Sequence, residues 1–348
     1  MPIIIDRFIG QMIRPFFGKI EPEIIQEIED QFRERVPHVS QNVRLAYHSG
    51  NSIFILRNED GIVGYAVIEV CRFHKAILEF GPIIKTRIDS KDVFNHLREI
   101  LRKNGIWYLI YQGDSADKNE RLKKYFGKNL LLKEEKGWAT AMKFLDITEE
   151  ELFASFNENH KRNIKKAEKE GINPFTIRSK NEFKNLIGIF HHMYQERKIH
   201  YYKINLENDL WALYNYIQET GKGFILGAQL NEQLLGGIII TFDGENGFYN
   251  FGASDRRLKK PVLHILFNHV FKELKLKGVK ILDLGGYDKE SKDPQFNALN
   301  KFKEGFGVEV VQYSPKLTLA TSFFGGHFIN TSVRLRNIVL CAIGKHIS

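Results

Sequence analysis

The stretches IFILRNEDGIVGYAVIEV at residues 53–70 and FILGAQLNEQLLGGIIITF at residues 224–242 decide the fold, because they share one construction. In both, a run of apolar and β-branched residues leads into a short polar turn, and a second apolar run follows. This pattern is typical of a β-hairpin. Gly64 and Gly236 occupy the same place in the two stretches, about 172 residues apart, and self-similarity at one separation indicates a repeated unit.

Two further pairs of segments continue the repeat in the same order. Residues 79–84, EFGPII, correspond to residues 250–255, NFGASD, and residues 104–113, NGIWYLIYQG, correspond to residues 277–286, KGVKILDLGG. Glycines match within both pairs at nearly the same separation as in the hairpins. Three landmarks in one order predict two copies of one domain rather than a single large domain.

A helix is predicted between the last two landmarks of each copy. In the first copy, residues 90–104 carry apolar side chains on one helical face and stop at Gly105. In the second copy, residues 261–277 begin at Pro261, which suits the first helical turn, and stop at Gly278. Each copy is therefore predicted to be an α+β domain, a mixed and mostly antiparallel sheet flanked by helices.

The segment DITEEELFASFNENHKRNIKKAEKEGI at residues 146–172 is predicted to be one helix that begins the second domain. Thr148 and Glu151 have the spacing of a capping box, and Gly171 stands where a helix usually ends. The chain thus divides into two domains and a C-terminal tail helix: residues 1–146, 147–320 and 321–348.

The composition is that of a globular protein with a basic surface. Of the 348 residues, 43% are hydrophobic, and the formal net charge is +9. Such a balance favours a polyanionic partner such as RNA, a phosphorylated molecule or an anionic membrane surface, and does not choose among them. Cys71 and Cys341 lie far apart and have no metal or redox spacing, which is typical of a reduced, cytoplasmic protein. Asp6 and Arg7 interrupt the apolar N-terminus, so no signal peptide or membrane span is predicted there.

Basic residues gather in two segments, 160–171 and 255–260. Three cations of the first segment fall on one stripe of the predicted helix. The stripe is interpreted either as a solvated helix face balanced by neighbouring glutamates or as a surface for a phosphate backbone. The cations concerned are Arg162, Lys166 and Lys169 in the first segment, and Arg256 and Arg257 in the second.

The segment NKFKEGFGVEVVQY at residues 300–313 places two lysines around a phenylalanine, ahead of a Gly-Phe-Gly turn and a β-branched run. As a local pattern it predicts the end of a helix. Lys301 and Lys303 would then be solvated cations near the negative pole of the helix dipole, and Gly305 or Gly307 would form the cap.

Segments from both halves of the chain together resemble the FemABX family of non-ribosomal aminoacyltransferases. The resemblance covers about residues 50–315 and is specific through the order of its motifs. Members of the family have two tandem acetyltransferase-like (GNAT) domains, so the resemblance implies the fold that the repeat predicts independently. The segments that carry it are EFGPII (79–84), FNENHKRNIKKAEKEGI (156–172), Arg197 at a helix end, GFYNFGAS (247–254), LDLGGYD (282–288) and NKFKEGFG (300–307).

The resemblance implies an acyltransferase that moves an amino acid from aminoacyl-tRNA to an amine on the stem peptide of a peptidoglycan precursor. The precursor would be UDP-linked or lipid-linked. Some members have a long helical arm in the second domain, but the chain between Gly171 and the strand at 223 is needed for the domain's own elements, so this chain looks armless. An aminoacyl ester is already activated, so the enzyme must mainly position reactants and stabilise charge, and no cofactor or metal is expected.

The resemblance also assigns site residues. The family's Phe-Lys dipeptide maps to Phe302 and Lys303, so that Lys303 would stabilise the reacting carbonyl oxygen while Phe302 anchors the turn in the core. The same lysine remains open to the simpler interpretation as part of a capped helix end.

Four further residues are assigned on the same basis. Arg197 stands where the family has an arginine, and Lys203 lies near a second basic position, so both are expected to bind the precursor phosphate. Tyr249 and Asp283 are expected to bind the acceptor or accept a proton; the alternative is a core tyrosine and a strand-end carboxylate. The five cations of the two basic segments would contact the tRNA.

Two other functions stay open. The same fold serves acyl-CoA-dependent N-acyltransferases, which hold the CoA pyrophosphate on the backbone amides of a glycine-rich turn that opens a helix. The equivalent stretch here, DRRLKKPV at residues 255–262, has no glycine and contains a proline, so CoA binding is disfavoured. The non-enzymatic alternative is a basic GNAT-like protein that only binds RNA or a cell-wall precursor.

Residues 317–348 lie outside the repeat. Their apolar run, residues 338–343, is too short to span a bilayer and is flanked by Arg334, Arg336 and Lys345. The tail is expected either to dock on the second domain or to lie on the membrane surface near a lipid-linked substrate.

Overall fold

The computed structural model describes residues 13–32, 38–85, 90–113, 115–127, 130–197 and 206–322. The chain forms two compact units. The first contains the chain up to Gly137 and the chain from Tyr313 onward, and the second contains residues Trp138–Gln312.

Both units are built from strands and helices. In chain order the strands are β1 (Arg14–Lys19), β2 (Ser52–Asn58), β3 (Gly61–Cys71), β4 (Lys75–Glu79), β5 (Ile83–Ile84), β6 (Tyr108–Gln112), β7 (Leu131–Glu135), β8 (Ala139–Phe144), β9 (Asn173–Thr176), β10 (Gly223–Leu230), β11 (Gln233–Asp243), β12 (Asn246–Ser254), β13 (Ile281–Tyr287), β14 (Glu309–Gln312) and β15 (Lys316–Ala320). The helices are α1 (Pro22–Gln31), α2 (Val43–His48), α3 (Ser90–Lys103), α4 (Ala116–Phe126), α5 (Glu149–Ala154), α6 (Glu158–Lys169), α7 (Lys180–Glu196), α8 (Leu206–Thr220), α9 (Val262–Leu276) and α10 (Pro294–Glu304).

The first unit contains one sheet with the strand order β1-β2-β3-β4-β6-β15-β7, and β5 pairs with β3. Among the described strands of this sheet, β4 and β6 run parallel and the other neighbours run antiparallel. Successive residues of β2 point to opposite faces. Phe54 lies in one apolar core with Leu97 of α3, whereas Ile53 lies in a second core with Ile28 of α1. The sheet is therefore covered by helices on both faces.

The second unit contains a sheet with the strand order β14-β8-β13-β12-β11-β10-β9, in which β12 and β13 are the parallel pair. Its main core joins α6 and α9 to one face, and Ile164, Leu266 and Ile238 belong to it. On the other face, Phe190 of α7 packs against Phe251 of β12 with ring centroids 6.0 Å apart. This sheet too is flanked by helices.

The predicted repeat and the α+β class are confirmed. The hairpin β2–β3, strand β4, helix α3 and strand β6 of the first unit correspond to β10–β11, β12, α9 and β13 of the second. In both units the helix connects the two parallel neighbours, β4 with β6 and β12 with β13. Each unit is thus the mixed, mostly antiparallel sheet that the sequence predicts.

The single helix expected at residues 146–172 is two helices, α5 and α6, and that expectation was wrong. The chain breaks because Phe156 turns into the core, 2% exposed, and Asn157 begins a new helix by accepting the backbone N–H of His160 at 2.8 Å. The capping box of Thr148 and Glu151 is present. Gly171 follows α6 with a φ of +75°, as a terminating glycine does.

The chain passes from one compact unit to the other at 137/138 and 312/313, whereas the sequence places the divisions at 146/147 and 320/321. The difference arises because each sheet takes in a strand from beyond the predicted division. Strand β8 lies between β13 and β14 in the second sheet, and β15 lies between β6 and β7 in the first. Of the predicted tail helix at 321–348, residues 323–348 lie outside the described residues.

Candidate active site

The parallel strands β12 and β13 of the second sheet stop pairing well before either strand ends. They pair only from Asn246 with Ile281 to Phe248 with Asp283, although β12 runs on to Ser254 and β13 to Tyr287. Just beyond the last pair, β12 has a β-bulge. Bulges occur often next to active sites, because they redirect side chains and end the pairing. The backbone therefore opens a site between two central strands of one unit.

The bulge is built around Asn250. Tyr249 and Phe251 pair with consecutive residues of β11, which leaves Asn250 as the extra residue. Its side-chain amide donates to Thr241 Oγ1 at 2.9 Å and to the carbonyl of Phe248 at 3.1 Å. A side chain that bonds back to both strands fixes the bulge in place.

Lys303 reaches the β13 backbone beyond the last β12–β13 pair. Its Nζ donates to the carbonyl oxygens of Gly285 at 3.0 Å and Gly286 at 2.6 Å. The side chain is 3% exposed. Burial lowers the pKa of the ammonium to about 8, while the nearby Asp283 carboxylate acts in the opposite direction. A buried lysine with a shifted pKa is typical of a functional site.

Helix α10 brings Lys303 to this position. Pro294 starts the helix, and Asp293 caps it by accepting the N–H of Gln295 at 2.8 Å. The predicted helix end is confirmed, since α10 stops at Glu304. Lys301 is exposed, as the helix-end interpretation predicts, but Lys303 is buried, which that interpretation does not predict. Side chains two positions apart on a helix point in nearly opposite directions, so only one of the two lysines reaches β13.

Hydrogen bonds hold the Asp283 carboxylate in place near Lys303. The side chain is 9% exposed, and its Oδ1 accepts the backbone N–H of Gly285 at 2.7 Å and the hydroxyl of Thr140 on β8. Gly285 takes a φ of +78°, a conformation that glycine adopts without strain. This turn brings the N–H of Gly285 to the carboxylate and its carbonyl to Lys303.

Phe302 anchors the end of α10, as expected. Its ring packs against Phe306 and His264, with centroids 5.2 Å and 5.1 Å away. Its carbonyl accepts a hydrogen bond from Nε2 of His160 at 2.9 Å, so Nε2 carries the proton. A Cβ at position 305 would clash with the His160 ring, which explains Gly305. The N-terminus of α6 thus holds the backbone next to Lys303.

Of the two histidines in this contact, His160 is buried and His264 is partly buried. Burial lowers the pKa of His160, and burial followed by the neighbouring His160 lowers the pKa of His264 to about 4. The rings lie 4.6 Å apart, and Asn163 lies 3.3 Å from Nε2 of His264. Both imidazoles are therefore neutral at pH 7 and serve as packing and hydrogen-bonding groups.

Arg197 is placed at the end of α7, near Tyr249 and Arg256. Burial first, and then the charge of Arg256, lower the pKa of Arg197. Its Nε is buried without a hydrogen-bond partner in the part of the chain that the structure describes. Burial also raises the pKa of Tyr249 far above its usual value, and Tyr194 contributes. An anion bound here would offset the repulsion between the two guanidiniums and satisfy the unpaired donor.

The remaining predicted residues divide into two groups. Lys203 lies outside the described residues. The stripe of Arg162, Lys166 and Lys169 is confirmed as an exposed face of α6, opposite its buried residues. Lys260 pairs with Glu170 at 2.9 Å. This ion pair brings the end of α6 next to the second basic segment.

That second segment forms a turn of 3-10 helix at Arg256–Leu258. Arg256 and Arg257 are both exposed, and Arg257 forms an ion pair with Asp255 at 2.6 Å. The two basic segments, separate in sequence, therefore lie next to each other at the end of α6. Their exposed cations, Arg162, Lys166, Lys169, Arg256 and Arg257, are named here the α6 basic surface.

Sequence reasoning missed Thr140 and Lys143 on β8. Lys143 is 2% exposed, burial lowers its pKa to about 8, and it donates to Ser155 Oγ at 2.6 Å and to the carbonyl of Gly307 at 3.2 Å. It ties the end of α5 to the turn after α10. Both residues were missed because the sequence analysis assigned residues 1–146 to the first domain.

Comparisons with known proteins agree with this fold. A family model described as an acetyltransferase (GNAT) domain matches residues 154–293. No curated protein matches the sequence. Among solved structures, the chain is similar to FemX at 14% identity and a TM-score of 0.65, over 84% of this chain and 95% of that one.

Two further solved structures show the same likeness. L-PGS from Bacillus licheniformis is 15% identical with a TM-score of 0.60, over 87% of this chain and 93% of that one. A tandem GNAT protein from the clavulanic acid biosynthesis pathway is 12% identical with a TM-score of 0.53, over 89% of this chain and 99% of that one. The expected FemABX-like fold of two tandem GNAT-like domains is confirmed.

Proposed function

We propose that the protein is an aminoacyltransferase that moves an amino acid from aminoacyl-tRNA to an amine on the stem peptide of a peptidoglycan precursor. The observation that carries the proposal is the buried ammonium of Lys303, held by the carbonyls of Gly285 and Gly286 where β12 and β13 stop pairing. The motif resemblance and the likeness of fold to FemX support it.

The reaction needs a group that stabilises negative charge on the ester carbonyl. The acceptor amine attacks this carbon, the tetrahedral intermediate carries an oxyanion, and the amide forms as the ribose hydroxyl leaves with a proton. An ammonium has three N–H donors, and the carbonyls of Gly285 and Gly286 take two. The third would donate to the oxyanion, which is the preorganised electrostatic stabilisation that acyl transfer requires.

Asp283 and Tyr249 are the candidates for handling the acceptor. Asp283 lies close enough to raise the pKa of Lys303, so it favours the charged form on which the proposed role depends. Its carboxylate is held by Gly285 and Thr140, and a carboxylate in a fixed position suits binding of the attacking amine or receipt of its proton.

Arg197 would bind a phosphate group of the precursor. An anion beside it would offset the repulsion from Arg256 and satisfy the buried Nε of Arg197. We assign Lys203 to the same subsite on the family resemblance alone.

The α6 basic surface would hold the tRNA. Phosphate backbones are bound by exposed lysines and arginines spaced along a surface, and the affinity comes largely from counterion release. Because charged tRNA is a cytoplasmic molecule, the reaction would take place in the cytoplasm, and at the inner face of the membrane if the acceptor is lipid-linked.

A second candidate function is acyl-CoA-dependent N-acyltransfer, favoured by the match of residues 154–293 to a GNAT acetyltransferase domain. The turn that would cradle the pyrophosphate argues against it. Residues 256–258 form a 3-10 turn, Lys259 is left-handed with a φ of +49°, and Pro261 precedes the first residue of α9. A turn without glycine and with a proline offers fewer backbone amides to a phosphate.

The test is transfer itself. The purified protein is incubated with a panel of charged tRNAs and with UDP-linked and lipid-linked stem-peptide precursors, and precursor masses are followed. We expect one precursor to gain the mass of one aminoacyl residue, and the gain to disappear when the tRNA is uncharged. A gain that instead requires acetyl-CoA, or no gain with any pair, would contradict the proposal.

A further inference from the structure

The turn between β3 and β4 in the first unit presents an aromatic ring to solvent. Phe73 is 84% exposed. Phe73 and His74 have φ values of +61° and +57°, the left-handed region that non-glycine residues rarely adopt. Such strain persists only where the surroundings hold the backbone, and it occurs often at functional positions.

The surroundings hold this turn through His74. The His74 ring stacks on Trp107 with centroids 4.0 Å apart, and its Nδ1–H donates to the carbonyl of Gly105 at 2.7 Å. The backbone N–H of Trp107 donates to the carbonyl of His74 at 2.8 Å. Val70 and Trp107 are themselves 45% and 37% exposed. We name this surface of Val70, Phe73, His74 and Trp107 the aromatic tip.

The charges around the aromatic tip are mostly positive. The two segments that build it, residues 69–75 and 98–107, contain five lysines and arginines and two glutamates. Arg72 adjoins Phe73 and is exposed, and Arg102 is exposed at the end of α3. One glutamate is already matched, because Glu99 forms an ion pair with Lys103 at 2.7 Å. An apolar ring surrounded by cations complements a surface that is anionic at its outside and apolar just beneath.

The end of the described chain lies at the same place. After β15, the backbone N–H of Thr321 donates to the carbonyl of Trp107 at 2.9 Å, and its hydroxyl donates to the carbonyl of Ile106 at 2.6 Å. The described chain therefore ends, at Ser322, beside the aromatic tip. The sequence that follows, residues 323–348, contains three lysines and arginines and no aspartate or glutamate.

We propose that the aromatic tip is a contact site for an anionic lipid bilayer, in which Phe73 inserts at the headgroup level while Arg72 and its cationic neighbours face the lipid phosphates. Aromatic rings with a polar surround favour this interface, and juxtaposed cations add attraction to anionic leaflets. The contact does not depend on the proposed aminoacyl transfer. One inserted ring and a few cations make it weak and reversible.

The test measures binding of the full chain to sedimented vesicles of phosphatidylcholine, alone or with about 30% phosphatidylglycerol. We expect binding only to the mixed vesicles, and Phe73→Ser to weaken it about tenfold, the order expected for losing one partly buried aromatic ring. Leu276→Ser is the matched control, because Leu276 is 79% exposed on α9 of the other unit and should not affect binding. Both variants should keep the wild-type melting temperature, since each changes a solvated side chain.

A second measurement reports insertion directly. In Phe73→Trp, the added tryptophan emission should shift to the blue with mixed vesicles, relative to the wild type, and remain unshifted with phosphatidylcholine alone. Binding that survives Phe73→Ser but is lost when Arg334, Arg336 and Lys345 are changed to glutamine would assign the contact to the C-terminal segment and overturn the proposal. Equal binding to both kinds of vesicle, or a monomer–dimer change caused by Phe73→Ser without a change in vesicle binding, would also overturn it.

Discussion

The Nζ atom of Lys303 lies 2.6 Å from the carbonyl oxygen of Gly286, and a second carbonyl, that of Gly285, lies 3.0 Å from it. Carbonyl dipoles orient the ammonium without neutralising its charge. A lysine held in this way keeps one N–H and its full charge for a ligand oxygen.

The transfer rate should depend on the charge of Lys303. Since its pKa is about 8 in the folded protein, the ammonium is present below that pH and is lost above it. Titration of the acceptor amine also changes the rate, so the useful quantity is the rate of the wild type divided by that of Lys303→Arg, whose guanidinium keeps its charge. We expect this ratio to fall as pH rises through about 8. A ratio that is independent of pH up to about 10 would contradict a loss of the Lys303 charge near pH 8.

Stability should fall in acid because of His264. Its pKa is about 4 in the folded state and about 6.5 unfolded, so the unfolded chain binds the proton more readily between these values. The loss begins as pH drops below 6.5 and is complete below 4. After allowance for screening it should amount to on the order of 1 to 2 kcal/mol.

The measurement is the difference in unfolding free energy between about pH 7 and pH 4, by denaturant titration. His264→Gln should show a smaller difference than the wild type. His269→Gln is the control on the same helix, because that imidazole is 41% exposed and pairs with Glu273. If His269→Gln reduces the difference as much as His264→Gln does, the acid sensitivity does not arise from His264.

Binding of tRNA should depend steeply on salt through the α6 basic surface. Each neutralised phosphate contributes about 0.7 to 0.9 to the slope of log affinity against log salt. Changing Arg162, Lys166 and Lys169 to glutamine should therefore reduce the slope by about 2. The control changes three cations of α4 in the first unit: Lys118, Arg121 and Lys124. A slope that stays the same in the first variant would remove α6 from the RNA surface.

Acetyl-CoA should not bind the second unit tightly. The turn at residues 255–261 has no glycine, and Pro261 takes the place of an amide donor ahead of α9. We expect no rise in melting temperature with millimolar acetyl-CoA. A ligand at a hundred times its dissociation constant would stabilise the protein by about 2.7 kcal/mol, so a saturable rise would be detected and would favour the acyl-CoA function.

The sequence predicts the sheets better than it predicts which strand joins which sheet. Hairpins, helices and closing strands follow from local periodicity and glycine positions, and both copies have them. The places of β8 and β15 depend on partners far along the chain, so no local pattern indicates them. The break at Phe156 is missed for a similar reason, because core packing there outweighs helical periodicity.

For the candidate site, too, the sequence predicts the local segments but not the contacts between them. The Phe-Lys segment and the LDLGGYD strand are visible in the sequence, but their contact is not. Lys301 and Lys303 are the same residue type, two positions apart. Only the position of β13 makes Lys301 exposed and Lys303 buried. Thr140 has no signal at all, because its role depends on a hydrogen bond to Asp283, which lies more than a hundred residues away.

The most direct test of the proposed function compares the transfer rates of Lys303→Met and Lys301→Met. The oxyanion exists only in the transition state, so losing its donor should lower kcat by about 10²-fold or more and leave tRNA and precursor affinities nearly unchanged. Lys301 is exposed on the same helix, and its substitution should change kcat by less than about twofold. Melting temperatures of both variants establish that each is folded. A large and selective loss of kcat in Lys303→Met is the predicted result, and equal, mild losses in both variants would contradict the catalytic role of Lys303.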